Sequence, residues 1–235
     1  MKTYNDEKTK LVNSVFSKVY KKYDLMNDVM SFGVHRLWKN NMVDWMRPQI
    51  NNKVLDVASG TGDMAKKISE KNNNLNLIYC IEPNKQMLEV GQKKLINYKN
   101  ILWKQASAEK LPFPNNTFDF YTISYGIRNV TNINKALAEA FRVLKTGGRF
   151  MCLEFSKIDN EILNSIYKSY SKTIPLVGKF IAGNSDPYEY LVSSIEKFYN
   201  QKEMVNLLKN NGFENVEFRN LSYGISAIHS GWKIQ

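Results

Sequence analysis

The sequence predicts an α/β fold: a mostly parallel seven-stranded sheet with helices on both faces, preceded by a helical N-terminal segment and closed by an antiparallel C-terminal hairpin. Three observations carry this expectation. Short apolar runs alternate with segments of helical periodicity from residue 53 onward, which is the pattern of βαβ units. A glycine turn, in VLDVASGTGDMA, joins the first such run to a helix. The last two strand-like runs, 213–220 and 224–233, are separated by a turn too short for anything but an antiparallel pair.

Element by element, Val12, Val15, Phe16, Val19, Tyr20 and Tyr23 recur at helical spacing, predicting an amphipathic helix over about residues 8–22. A second helix is expected over about 35–47, stopping before Pro48. Strands are expected at 53–57 (KVLDV), 75–81 (LNLIYCI), 101–105, 118–124 (FDFYTIS) and 148–155 (GRFMCLEF). The clearest helix between them is 132–144, where Ile133, Ala136, Leu137, Ala140, Phe141 and Leu144 share a face and Gly147–Gly148 are expected to end it. Further helices are expected at about 187–199 and 201–211. With no internal repeat, low-complexity tract or linker, the 235 residues read as one domain. Its parts are a helical lid (1–50), a ligand-binding core (51–156), a helical insertion (157–200), and a last helix with the hairpin (201–235).

Composition excludes several classes. A hydrophobic fraction of 43% with 12% aromatics belongs to a folded globule. Cys80 and Cys152 sit in apolar runs without metal-ligand spacing, so two buried, reduced thiols and a cytoplasmic location are expected. The first residues, MKTYNDEKTK, lack the apolar stretch of a secretory signal. No apolar run approaches the ~18 residues that span a bilayer. The net charge of +11 favours anionic partners, but the lysines are scattered and no basic run reaches five residues. A solvated face explains them best, attraction to an anionic membrane next, and nucleic acid least.

The glycine turn carries the chemistry. Gly60, Gly62 and Ala65 satisfy G-x-G-x-x-G/A, and Glu82 ends the next strand, where an acid would hold ribose hydroxyls. That much suits a dinucleotide. Asp56 in the strand and Asp63 at the helix start argue otherwise, because two carboxylates would repel a pyrophosphate at the positive helix end. They suit S-adenosylmethionine, whose sulfonium and α-ammonium are cationic; opposite charges at ~4 Å are worth about 4 kcal/mol at an effective dielectric near 20. Ser107, Ala108 and Glu109 follow the third strand, where an adenine edge would lie, with Leu111-Pro112-Phe113 as an apolar wall. The stretch from Ser124 to Asn129 ends the fourth strand, at the edge where open α/β sheets bind ligands.

With these motifs the chain resembles the ubiquinone/menaquinone biosynthesis C-methyltransferase family. The resemblance runs through YDLMNDVMSFGVHRLWK, VLDVASGTGD, AEKLPFPNNTFD, TISYGIRNVT, RVLKTGGRFMCLEFS, IPLVGKFIAGNSDPYEYLVSSI and AIHSGWK, from about residue 12 to the end. It implies a Rossmann-like class I methyltransferase, with S-adenosylmethionine at Thr61, Glu82, Ser107, Ala108 and Ser124. It further implies C-methylation of a polyprenylated quinol ring. Ser59 departs from the family's glycine, Glu82 from its Asp, Ser107 from Asn or Asp, and Thr146 from Pro. The contact at Ser107 is the one this most puts in doubt.

A methyl sulfonium is already activated, so the protein's tasks are in-line approach and an electron-rich carbon. Ionising the neighbouring ring hydroxyl supplies the latter, and the site must stabilise that anion and accept its proton. Arg128 is the candidate stabiliser, against the alternative of a structural salt bridge at the sheet edge; Asn129 and Tyr125 are candidates for orienting the ring oxygen or a water. Tyr23, Met26, Asn27, Met30, Phe32, His35 and Trp38 form the expected lid over the ring. His35 has no second ligand near it in sequence, so no metal is expected. Ile174, Leu176, Val177, Phe180 and Ile181 are candidates for the prenyl tail or for ordinary core. Expected partners are the quinol, with a homodimer, a biosynthetic assembly or peripheral contact with the inner membrane as further options. The rivals are a methyltransferase for another small molecule, a nucleic-acid methyltransferase, and a non-catalytic S-adenosylmethionine-binding protein. The nucleic-acid reading lacks a clustered basic face or an appended binding module, and SDPYEY follows the fifth strand instead of the fourth.

Overall fold

The computed structural model describes residues 33–158 and 186–235, together with 12, 14, 15, 17, 28, 31, 161, 165, 167, 169, 170 and 173. Most of the helix expected near residues 8–22, the lid candidates Tyr23, Met26, Asn27, Met30 and Phe32, and the apolar residues from Ile174 to Ile181 lie outside the described residues.

The sheet has seven strands: β1 (Lys53–Val57), β2 (Leu77–Ile81), β3 (Ile101–Lys104), β4 (Phe118–Ser124), β5 (Leu144–Phe155), β6 (Glu214–Leu221) and β7 (Ser226–Trp232). Their spatial order is β3-β2-β1-β4-β5-β7-β6. The first five are parallel, and β7 runs antiparallel to both β5 and β6. The central strands are apolar without alternation because both faces are covered. Val54, Ile78, Cys80, Met151 and Leu153 enter one core, while Leu55, Val57, Ile81, Ile123 and Cys152 enter the other. The two cysteines are therefore free thiols buried on opposite faces.

Against the first face pack α1 (His35–Met46), α2 (Asp63–Lys71) and α5 (Asp186–Glu196), through Met42, Ile68 and Leu191 among others. Against the second pack α4 (Ile133–Val143) and α6 (Gln201–Asn210), through Leu137, Ala140 and Leu208. The helix α3 (Lys85–Lys94) lies between β2 and β3 in the chain. Asparagines start three of the helices: Asn84, Asn132 and Asn200 each accept a backbone N–H of the first turn, and Glu203 returns the bond to Asn200. Among the described residues no helix is long and apolar enough to cross a membrane.

Several boundaries differ from the sequence reading by a few residues, and two of the differences have a visible cause. The helix expected to run to 144 and end at Gly147–Gly148 stops at Val143, and Leu144 already pairs with Phe118. The glycines instead bond across to Lys233: Gly147 N–H donates to its carbonyl, and its N–H donates to Gly148. The strand expected from 75 begins at Leu77, because the buried Asn76 amide is taken up by Asn72 and the Gln49 carbonyl.

Trp103 on β3 wedges between two glycines. A Cβ on Gly62 would lie 2.6 Å from Leu95 and 2.9 Å from the Trp103 ring, and one on Gly91 only 2.2 Å from that ring. Alanine ordinarily favours a helix over glycine by about 1 kcal/mol. Gly91→Ala in α3 is expected to reverse that sign through overpacking of about 1–3 kcal/mol. The thermal midpoint should fall by several degrees, and the penalty should vanish in a Trp103→Val background.

Candidate functional site

The chain leaves β1 toward β2 but leaves β4 toward β5, so the carboxyl ends of these neighbouring strands diverge and open a crevice. Two recesses share it. The larger, about 780 Å³, is lined by Gly60, Glu82, Ser107 and Ala108 on one side and by Tyr125 and Asn129 on the other. The smaller, about 350 Å³, is lined by Lys39, Asp56, Thr61, Asp63 and Ser124. Ala58 and Tyr125 border both. Every cofactor candidate except Gly62 thus faces one cleft. Gly62 serves packing: it caps α2 in the left-handed region (φ 85°), against Leu95 and Trp103.

The two turns at the crevice are strained. Ala58 (φ 52°) and Tyr125 (φ 55°) are both left-handed, at a cost of about 1–2 kcal/mol each. They bend the chain sharply off β1 and β4. The turns touch, since a Cβ on Gly126 would lie 2.5 Å from that of Ala58.

Glu82 ties the β1 turn to the β2 turn. One carboxylate oxygen accepts Gly60 N–H and the other accepts Asn84 N–H, each at 2.9 Å. Burial nevertheless lifts its pKa to about 7 against these bonds. Each oxygen keeps a further lone pair, which suits it to ribose hydroxyls. Asp56 is also buried, and burial raises it to about 6, opposed by the Thr122 hydroxyl that donates to Oδ1 at 2.8 Å. Its Oδ2 is buried with no partner. An unmatched buried carboxylate oxygen beside a cleft is a place for a cationic ligand group, and the donor set as a whole fits S-adenosylmethionine.

Asp63 corrects the charge argument drawn from sequence. Burial would raise it, but the ammonium groups of Lys39 and Lys94, each 3.1 Å away, outweigh burial and hold it well below the usual carboxylate range. Its charge is matched within the protein, so preference for a cation rests on Asp56 and Glu82. Sequence reasoning missed both lysines, because α1 and α3 bring them to α2 from 24 and 31 positions away.

On the opposite wall, Asn129 accepts the Tyr190 hydroxyl at 3.0 Å and its amide reaches the Tyr125 carbonyl at 3.4 Å. The Tyr125 hydroxyl points into the sheet, 3.4 Å from Ser226, where burial raises its pKa far above the ordinary value. Arg128 lines neither recess. It is buried, 2.5 Å from Glu154, donates to the Tyr125 carbonyl and to Ser194, and lies over the Phe155 ring. The salt bridge across the sheet edge is the arrangement found, with burial pushing the Glu154 carboxyl up against the pull of Arg128. Glu109 accepts the N–H groups of Thr131 and Asn132, fastening the loop after β4 to the loop after β3.

His35 and Trp38, expected as lid contacts, line neither recess. Trp38 is buried edge-on to Phe155 and donates to Ser222 at 3.0 Å. His35 lies 2.9 Å from Asp28, and burial, aided by Lys39, lowers its pKa despite that carboxylate. Both anchor α1, whose apolar face takes its burial from the sheet. Among the described residues no group of three or more His, Cys, Asp or Glu gathers as a metal site.

A parallel sheet with an antiparallel final hairpin, carrying an acid–glycine turn and a second buried acid at its switch point, defines a class I S-adenosylmethionine-dependent methyltransferase. The solved structure of an S-adenosylmethionine-dependent methyltransferase from Thermotoga maritima shares this fold, with a TM-score of 0.69 at 20% identity over 94% of this chain and 99% of that one. Residues 1–233 match the ubiE/COQ5 methyltransferase family, and the chain belongs to that family. It is 51% identical to the ubiquinone/menaquinone biosynthesis C-methyltransferase of Rickettsia bellii, over 97% of this chain and 95% of the relative. The Brucella abortus protein of the same name is 48% identical, over 97% and 87%.

The two raised carboxyls set a pH dependence. Both are protonated more readily folded than unfolded, so their contribution to stability is full below about pH 4 and is lost as pH rises through about 6 and 7. Between pH 7.5 and 5.5 this gain on acidification opposes a loss from His35 and His229, whose pKa values burial lowers, so the thermal midpoint of ligand-free Glu82→Gln should respond less favourably to acidification than that of wild type. Affinity for S-adenosylmethionine should run the other way, strengthening as Asp56 and Glu82 ionise, which calorimetry across the same range would measure.

Proposed function

We propose that this chain transfers the methyl group of S-adenosylmethionine to a ring carbon of a polyprenylated quinol, a benzoquinol or a naphthoquinol, in ubiquinone or menaquinone synthesis. The observation that carries the reading is near-half identity, over nearly the whole chain, to proteins named as ubiquinone/menaquinone biosynthesis C-methyltransferases. The cofactor supplies a methyl group activated by a positive sulfur. The protein must hold it at one side of the crevice and an electron-rich ring carbon at the other.

Glu82, Asp56, Thr61, Ser107, Ala108 and Ser124 form the cofactor side. The ring side begins at Asn129, which lines the cleft and is held by Tyr190. We assign the contact with the ionised ring oxygen to this amide. Arg128, beneath it, is a positioning residue: paired with Glu154 and bonded to the Tyr125 carbonyl, it fixes the strained turn that carries Asn129. Direct stabilisation of the anion by Arg128 would require release of Glu154. The stretch containing Tyr23, Met26, Asn27, Met30 and Phe32 serves in this reading as the apolar cover of the ring. The net charge of +11 would favour contact with the anionic membrane in which a prenylated quinol resides.

Incubation with labelled S-adenosylmethionine and each demethylated quinol should give methyl transfer to at least one of them. Transfer to neither, with transfer to RNA, would overturn the proposal. The Arg128 assignment has its own check. Arg128→Ala alone strands a buried carboxylate and should cost about 3–5 kcal/mol of stability, whereas Arg128→Met with Glu154→Leu should stay near the wild-type midpoint. A positioning role predicts that this double variant keeps measurable turnover; its complete loss with cofactor binding intact would assign the anion directly to Arg128.

A further inference from the structure

The smaller recess contains a group that neither the cofactor motif nor the family resemblance assigns. Lys39 is only 6% exposed, although it stands on α1, outside the sheet. Its ammonium reaches Asp63 Oδ2, while Lys94 reaches Oδ1 of the same carboxylate at an equal 3.1 Å. One carboxylate thus faces two cations. Lys94, a third exposed, would by itself neutralise Asp63 at a smaller desolvation cost than a buried lysine incurs. A simple tether between α1 and α2 therefore does not account for burying Lys39. Asp56 lines the same recess within the field of this ammonium, and its Oδ2 is buried without a hydrogen-bond partner. The recess consequently offers one cation that Asp63 can spare and one unmatched anionic oxygen, the complement of a zwitterion.

Resting on the reading of the cleft as an S-adenosylmethionine site, we propose that Lys39 holds the α-carboxylate of the methyl donor's amino-acid end, with Asp56 taking the α-ammonium. Lys94 keeps Asp63 neutralised when Lys39 turns to the ligand. Because Lys39 sits on α1, the donor's amino-acid end then ties that helix to the sheet edge. The helix α1 joins the cofactor site instead of only packing beside it.

The test is a cycle between protein and ligand, read by calorimetry with S-adenosylmethionine and decarboxylated S-adenosylmethionine. Wild-type protein should prefer the carboxylated ligand by about tenfold or more, the scale of a charge-assisted hydrogen bond. Lys39→Met should lose about that factor toward S-adenosylmethionine while binding the decarboxylated ligand within about twofold of wild type. The thermal midpoint of each ligand-free protein verifies that it is folded. Equal losses toward both ligands would overturn the inference, as would unchanged affinity for S-adenosylmethionine. A wild-type protein without preference overturns it even if the variant fails to fold. Wild-type binding of neither ligand would instead remove the methyl-donor reading on which it rests.

Discussion

A carboxylate taken out of water needs a partner, and the carboxyl edge of this sheet is organised around that requirement. Four acids lie there or beside it, each answered differently. Glu82 is held by two backbone N–H groups, Glu154 by Arg128 and the Phe155 N–H, and Asp63 by two lysines. Asp56 has the Thr122 hydroxyl on one oxygen and no hydrogen bond on the other; Glu154 also keeps one unpartnered oxygen, but only Asp56 lines the cleft. These bonds join elements distant in sequence: turn to turn, loop to strand, and three helices at one point. The residual mismatch at Asp56 is where the fold leaves electrostatic work for a ligand.

The same edge stores backbone strain. Ala58 and Tyr125 occupy the left-handed region without being glycines, and each ends a strand whose neighbour diverges from it. Arg128 bonds the Tyr125 carbonyl, and the Tyr125 N–H donates to Leu153, so the strained residue is gripped from both sides. Strain persists only where the surroundings over-determine it, and such positions favour ligand sites. The Arg128–Glu154 pair is thus a device of geometry more than of stability, since burying two charges gains little net free energy.

The positive charge of the chain divides into two populations. Among the described residues most lysines are exposed, as scattered spacing suggested, but Lys233 is buried against the sheet, Lys39 is buried at the cleft, and Lys94 beside it keeps a third of its side chain exposed. A net charge describes the first population and conceals the second. The aromatic and basic residues of the N-terminal stretch divide likewise: His35 and Trp38 anchor α1 in the core, while Lys39, about one helical turn after His35, reaches the site.

By itself the sequence determined the fold class, the strand order's antiparallel end, the glycine turn, and acids and small residues that line one cleft. These are legible because they obey local rules: apolar runs mark buried strands, a short turn forces a hairpin, and a turn after a strand places its residues at the carboxyl edge. Family resemblance added the chemistry to the same positions. Only the tertiary structure decided which charges are already matched. Asp63 read as a free acid until α1 and α3 supplied lysines, and Arg128 stood between anion stabiliser and structural salt bridge until β5 placed Glu154 against it. Gly91 owes its necessity to one tryptophan on β3, and Gly62 to that ring, to Leu95 and to its left-handed backbone. Pairing and close packing join residues tens of positions apart, and no periodicity along the chain encodes which helix will carry a lysine to a given carboxylate.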